Sequence, residues 1–370
     1  MKSHLIDRYT VDFNQVSTGQ FLDIFETYGV CVLNNVFSES FCDSARDEFE
    51  TILEKCDAGF NRNCPDTFND STTFIQLIKP GMFHTPLSNT PSHWKVRTNL
   101  NVIRIFNAIY YEEEYMDCSL SCRAVSTKLN LMVSGDGLTY LPNNRYKEHE
   151  DWAHLDEAVH LFKNKYVVQG QAVMTNCKHA FRASPGSSKI YDRVKLGNDY
   201  VTVNSIKSNM SEFECEFQVL VEAKKGSFIV WDSRTVHSSY RHADFGGCRL
   251  VYYVSMRPKN LLTEEERVFR AFCLVNNKCT DHLSEKQLNY LYFFNKATSK
   301  VQKYISKKPS DAYKYLHCKP NVFDPVIYQI ACIEDAIDSN DKWRSTFENF
   351  KSEPTMWNNV LSFLNFSNMN

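Results

Sequence analysis

Residues 147–158 read "KEHEDWAHLDEA" and crowd His149, Glu150, Asp151, His154, Asp156 and Glu157 into one short stretch. Each of these side chains can offer an imidazole nitrogen or a carboxylate oxygen to a cation. A protease-type zinc helix needs two histidines four apart, so that both stand on one helical face. His149 and His154 are five apart, which separates them by about 140° around a helix. The spacing speaks against that kind of site.

Two H-x-D pairs remain, His149 with Asp151 and His154 with Asp156. On a strand, residues two apart share a side, so either pair could present both groups to one ion. The pairs have opposite parity and could not do so together. One such pair joined by a distant histidine makes the 2-His-1-carboxylate triad that holds Fe(II) with positions left open. "GSFIVWDSRTVHSSY", residues 226–240, supplies a distant histidine: an apolar strand, a polar bend, then His237. Twelve residues later Arg249 heads "RLVYYVSM". Each signal alone is bland. H-x-D arises by chance, a histidine after a strand is often an ordinary surface or core residue, and an arginine often only pairs with a carboxylate. Their order and spacing together are far more specific.

The flanking sequence shows what must position these groups. Residues 17–56 read as helix, strand, helix. Phe21, Ile24 and Phe25 fall at helical spacing, "GVCVL" is an apolar strand, and Ser38 or Ser40 can cap a helix carrying Phe41, Ala45, Phe49, Ile52 and Leu53. Residues 57–98, rich in Asn, Pro, Thr and Ser, read as loop. From 99 to 257 the pattern is of short strands: "LNVIRIF", "STKLNLMVS", "YVVQGQAVMT", "FECEFQVLVEA", "SFIVW" and "RLVYYVSM". The turn signals between them are "SGDG", "LPNN", "SPGSS" and "KKG". So many short strands suggest a sandwich or jelly roll. After Pro258 helical spacing returns in "LLTEEERVFRAFCLV", "SEKQLNYLYFFNKATSKVQKYI" and "DPVIYQIACIEDAI", a tail expected to pack on the outside of the sheets.

Composition bounds the function. The 370 residues suffice for one large domain or two ordinary ones, and 43% hydrophobic with 23% charged residues is a globular balance. The 26 Phe and 19 Tyr point to a thick core or an apolar cleft. A net charge of -2 gives no field that would favour nucleic acid or anionic membrane. The start "MKSHLIDRYT" has no apolar stretch of a secretory signal. No window reaches the roughly 18 apolar residues of a membrane span. The 13 Cys include no C-x-x-C, so a zinc knuckle is not expected; they read as reduced core residues in an intracellular, cytoplasmic setting.

With these elements in place, the chain resembles the phytanoyl-CoA dioxygenase-like branch of the Fe(II)/2-oxoglutarate-dependent oxygenases. The likeness lies in "FETYGVCVLNNVFSESFCDSARDEF", "WAHLDEA", "VVQGQAVMT", "SPGSSKIY", "GSFIVWDSRTVH" and "CRLVYYVSMRP", and covers roughly residues 20–258. It implies an α+β chain with a mainly β core: a double-stranded β-helix (jelly-roll, cupin-like) over residues 1–259, with flanking N-terminal helices and a helical extension over 260–370. It selects His154, Asp156 and His237 as Fe(II) ligands, with Trp152 just before the H-x-D. His149 and Asp151 are left as surface polar groups. It assigns Arg249 to the far carboxylate of 2-oxoglutarate, with Ser239 and Gln169 as further cofactor-binding positions. Ser188 stands where relatives carry a histidine, and Val251 breaks the R-x-S seen in some of them. The implied activity is hydroxylation of a small or lipid-like substrate with O2, releasing succinate and CO2; the carboxylate of Asp156 argues against halogenation. The alternatives are a non-catalytic metal- or ligand-binding jelly roll, and an oxygenase acting on a protein side chain or nucleic-acid base.

Overall fold

The computed structural model describes residues 6–56, 60–67, 82–83, 89–111, 118–141, 153–156, 167–193, 218–239, 247–275, 280 and 324–338. The N-terminal part folds as helix, strand, helix. Helix α1 (Thr18–Tyr28) opens on a capping box, in which the Ser17 hydroxyl and the Gln20 side chain each accept from the other's backbone N–H. It closes at Gly29, whose left-handed φ of 67° lets its N–H reach the Phe25 carbonyl. Strand β2 (Val30–Asn34) follows at once. Helix α2 (Glu39–Cys56) is capped by Ser38, whose hydroxyl accepts from the Phe41 N–H at 3.2 Å. Cys42, Ala45, Phe49, Ile52 and Leu53 form its buried stripe.

The remaining strands are β1 (Thr10–Asp12), β3 (Met82–Phe83), β4 (Leu131–Leu141), β5 (Val168–Val173), β6 (Cys177–Ala183), β7 (Val219–Ala223), β8 (Phe228–Asp232), β9 (His237–Ser239) and β10 (Arg249–Pro258). They make a seven-stranded sheet in the order β1-β2-β8-β5-β10-β4-β3 and a three-stranded sheet in the order β7-β6-β9. Every pairing is antiparallel except β1 with β2. Alternation then assigns two faces to the large sheet. Val173, Ile229, Trp231 and Val251 face the small sheet and meet Phe181, Ala183 and Val221. Val168, Ala172, Phe228, Val230, Leu250 and Tyr252 face outward and pack with the helical core, including Phe21, Phe49 and Phe106.

Several expectations change. "LNVIRIF" lies in helix α4 (Leu100–Tyr110) and not in a strand. Its Val and Ile suggest a strand by propensity, but Asn99 caps a helix by accepting from Asn101 N–H at 2.8 Å. Val102, Ile105, Phe106 and Ile109 then bury one helical stripe against the sheet. Within 57–98, Thr90 and Pro91 start helix α3 (Pro91–Arg97), a Thr-Pro signal hidden by the polar composition. "SGDG" is no turn: β4 runs through it, and opposite Val254 and Ser255 the partners are Asp136 and Ser134, so Gly135 is the spare residue of a bulge. Strands β1, β6 and β9 were not foreseen, nor was β3, which falls within the stretch read as loop. The "LPNN" tract after Leu141, "FECEF" and the helix expected over 284–305 lie outside the described residues.

The described part of the tail joins the helical core. Ala271 and Leu274 of α5 (Glu264–Val275), Ile327 and Ile330 of α6 (Pro325–Ile330), and Ile333 and Ile337 of α7 (Ile333–Asp338) belong to it. Arg257 at the end of β10 pairs with Glu266 at 3.7 Å, and Lys259 with Asp335 at 3.3 Å. Gln329 bonds the backbone of Thr127 at 3.0 Å and of Leu129 at 2.6 Å. Of the described cysteines, Cys31, Cys42, Cys248, Cys273 and Cys332 are buried and Cys64, Cys118 and Cys122 exposed. Burial pushes the Cys42 thiol up to about 11 and Cys332 to about 12, which keeps them protonated and unreactive.

Gly170 in β5 makes room for an aromatic ring. A Cβ there would lie 2.2 Å from Cζ of Phe228. That ring is fully buried and fixed edge-on against Phe37 and Phe106, at 6.4 and 6.1 Å between centroids. Gly170→Ala is therefore expected to lower stability by about 1–3 kcal/mol, read as a lower midpoint in urea with an unchanged slope. An unchanged midpoint would show that the ring can yield.

Candidate metal centre

The centre begins with a backbone contact. His154 and His237 form an isolated antiparallel bridge in which each N–H donates to the other's carbonyl at 3.0 Å. Directly opposed residues of an antiparallel pair project to the same side. His237 also pairs with Ala183 of β6, whose side chain faces the large sheet, so both imidazoles enter the space between the sheets. Their ring centroids are 4.5 Å apart. Asp156, two residues beyond His154, turns its carboxylate to both rings: Oδ1 lies 3.3 Å from Nε2 of His154 and Oδ2 lies 3.2 Å from Nε2 of His237. All three ligand atoms fall within 4.8 Å of one another, and both histidines are buried. This is an N,N,O set gathered on one side of a point, the donor chemistry suited to Fe(II).

Neighbours hold His237 and Asp156 in place. Nδ1 of His237 is 2.9 Å from the Thr235 carbonyl, which can only accept, so Nδ1 carries a proton and Nε2 is the nitrogen turned to Asp156. Trp231 and Phe181 flank this ring at 5.3 and 5.9 Å between centroids. Gln169, beside Trp231 in the register of β5 and β8, donates Nε2–H to Oδ2 of Asp156 at 2.8 Å. It is thus a partner of the Asp156 carboxylate.

Arg249 is 1% exposed at the head of β10, and it shares parity with the inward Val251. Its Nε and Nη2 are buried with no hydrogen-bond partner among the described residues. Ser239 Oγ is 3.5 Å from the Tyr253 hydroxyl, which contacts Thr139 Oγ1 at 3.0 Å. It therefore meets β10 at Tyr253. His149, Asp151 and Trp152 lie outside the described residues. Sequence reading passed over Thr235, Trp231 and Tyr253, since a backbone acceptor or a wall of the site leaves no spacing signal.

If the three groups are ligands, Asp156→Ala is expected to abolish binding of Co(II), a spectroscopic stand-in for Fe(II), in a chain that still folds. Gln169→Leu is expected to weaken it about 10–100-fold, as loss of an outer partner does elsewhere. Calorimetric titration with circular dichroism checks both. Wild-type affinity in Asp156→Ala would remove the carboxylate from the set.

No family model matches the chain. "Putative phytanoyl-CoA dioxygenase" of Dictyostelium discoideum is 23% identical over 312 residues, covering 73% of this chain and 84% of that protein. "Ava biosynthesis cluster protein O" of Aspergillus versicolor is 21% identical over 302 residues, covering 76% and 91%. Among solved structures, "Putative Oxidoreductase from Salmonella typhimurium LT2" superposes with a TM-score of 0.51 at 9% identity, covering 84% of this chain and 86% of that one, a likeness of fold alone. Over about three quarters of its length, then, the chain is similar to a protein named for phytanoyl-CoA dioxygenase, as its motifs led one to expect.

Proposed function

We propose that the chain is an Fe(II)- and 2-oxoglutarate-dependent oxygenase acting on a small organic substrate, with His154, Asp156 and His237 as iron ligands. We further read the two facing sheets as a double-stranded β-helix within residues 1–259, and residues 260–370 as a helical extension. The observation that carries the activity beyond metal binding is Arg249. A buried guanidinium without an acceptor is costly. Two of its nitrogens are orphaned on the same inner face that bears the triad's supports. A carboxylate is the group whose geometry matches that fork. The residues present therefore fit both iron and a dicarboxylate.

In this reading His154 and His237 hold the metal through neutral nitrogens and Asp156 offsets part of its charge. Gln169 fixes the carboxylate, and Arg249 orients 2-oxoglutarate by its far end. Trp231 and Phe181 keep water from the His237 side. When bound, iron and 2-oxoglutarate supply the oxidation with O2, releasing succinate and CO2. The inner face near Gln169 also bears on the substrate. Trp231, Gln169, Ser255 and Ser134 lie side by side across four strands. Trp231 Nε1, Ser134 Oγ and, two residues along from Gln169, Gln171 Oε1 are buried without partners among the described residues. This supports a substrate with hydrogen-bonding groups over a bare hydrocarbon, which would leave all three unmet. A non-catalytic binder would take up metal and 2-oxoglutarate yet form no succinate.

The test is succinate formation by the full chain with Fe(II), 2-oxoglutarate and a panel of polar and apolar metabolites. Substrate-stimulated succinate is expected; metal binding with no turnover on any panel would favour the binder. Arg249→Ala should keep metal and bind 2-oxoglutarate about two to three orders of magnitude more weakly, the effect of losing about 3–5 kcal/mol from a buried charge pair. Arg249→Lys should recover only part of this, because it keeps the charge and loses the fork. Wild-type 2-oxoglutarate affinity in Arg249→Ala would take Arg249 out of the site.

A further inference from the structure

The arm that delivers His237 is a tight turn. Asp232 accepts from Thr235 N–H at 2.8 Å through its carbonyl, and its carboxylate takes Arg234 Nε at 2.9 Å and Nη2 at 2.6 Å. Two outside elements grip this turn. The first is the C-terminus of α1: the Gly29 carbonyl accepts from the Asp232 N–H at 2.9 Å and from the Thr235 hydroxyl at 2.9 Å. The second is the turn before Ile190: Ser187 Oγ accepts from Val236 N–H at 2.9 Å, and Ser184 N–H donates to the Val236 carbonyl at 2.8 Å. Thr235 is fully buried, and its own carbonyl receives Nδ1 of His237.

We propose that Thr235, held by Gly29, is a positioning residue for the metal centre: its hydroxyl locks the peptide whose carbonyl sets the tautomer and direction of His237. The proposal rests on reading His154, Asp156 and His237 as metal ligands. The fit at Gly29 is close. A Cβ there would stand 2.3 Å from Thr235 Oγ1 and 2.6 Å from Ser188 Oγ, and its φ of 67° disfavours any side chain. Helix α1 thus reaches the His237 imidazole through the Gly29 carbonyl and the hydroxyl and carbonyl of Thr235. A rotation of the Thr235 peptide would take the acceptor from Nδ1 and release the imidazole to turn about its Cβ.

Thr235→Val keeps the shape and removes the hydroxyl; Thr235→Ser keeps the hydroxyl. Co(II) titration of the full chain, followed by visible absorption and calorimetry, with circular dichroism for folding, compares both with wild type and His237→Ala. Thr235→Val is expected to fold and to bind Co(II) about 10–100-fold more weakly with an altered ligand-field spectrum, and Thr235→Ser to recover most of the affinity and the spectrum. Wild-type affinity and spectrum in Thr235→Val would overturn the proposal. So would a Thr235→Val chain that fails to fold, because the contact would then be general support. Wild type that binds no Co(II), or His237→Ala that binds it equally well, would instead overturn the metal-centre reading itself.

Discussion

Two backbone hydrogen bonds between His154 and His237 hold the candidate site together. They join a short segment that belongs to no named strand to the three-residue strand β9, and they set both imidazoles on one side. Asp156 then lies within reach of both rings. Such a bridge is weak alone. It persists because β9 pairs with β6 and because the space above it is filled by Phe181 and Trp231. The large sheet does the complementary work: β5 brings Gln169 to the carboxylate, and β10 brings Arg249 to the same inner face.

The arrangement concentrates polar groups where the surroundings are apolar. Val173, Ile229 and Val251 line the inner face alongside Gln169 and Arg249. In such a medium a fixed charge or dipole acts more strongly than at the surface, and an unpaired one is more costly. The buried network on the other side of β10 is of a different kind. His93 stacks on Tyr252 at 4.7 Å between centroids and bonds the Tyr253 carbonyl at 2.8 Å, while Ser92 meets the Tyr252 hydroxyl at 2.9 Å. These groups have protein partners and clamp α3 to the strand, whereas Nε and Nη2 of Arg249 are buried with no partner among the described residues.

Much of the site was legible because its chemistry depends on residue type and order. The spacing pointed to an H-x-D pair with a distant histidine and left two pairs open; the family resemblance chose His154 and Asp156, which do converge with His237, and Arg249 is buried at the head of its strand. What stayed hidden depends on tertiary context. The α4 segment has β-forming residues but is held helical by the Asn99 cap and by the sheet it covers. Gly135 looked like punctuation and is a bulge within a long strand. Strand β9 is too short for any period to register, and Thr235 meets His237 through its main-chain carbonyl, which no sequence pattern records.

The seating of β2 beside β8 has a consequence for how the chain is born. Val30–Asn34 leaves the ribosome long before its antiparallel neighbour, Phe228–Asp232. Until then β2, flanked by β1 on one side, presents an open edge of apolar residues on the other: Val30, Cys31, Val32 and Leu33, all wholly buried in the finished protein. Closure of so distant a pair is slow and exposes sticky intermediates meanwhile. The same late event brings Gly29 against the arm of His237, so the candidate site is completed only when segments some two hundred residues apart meet.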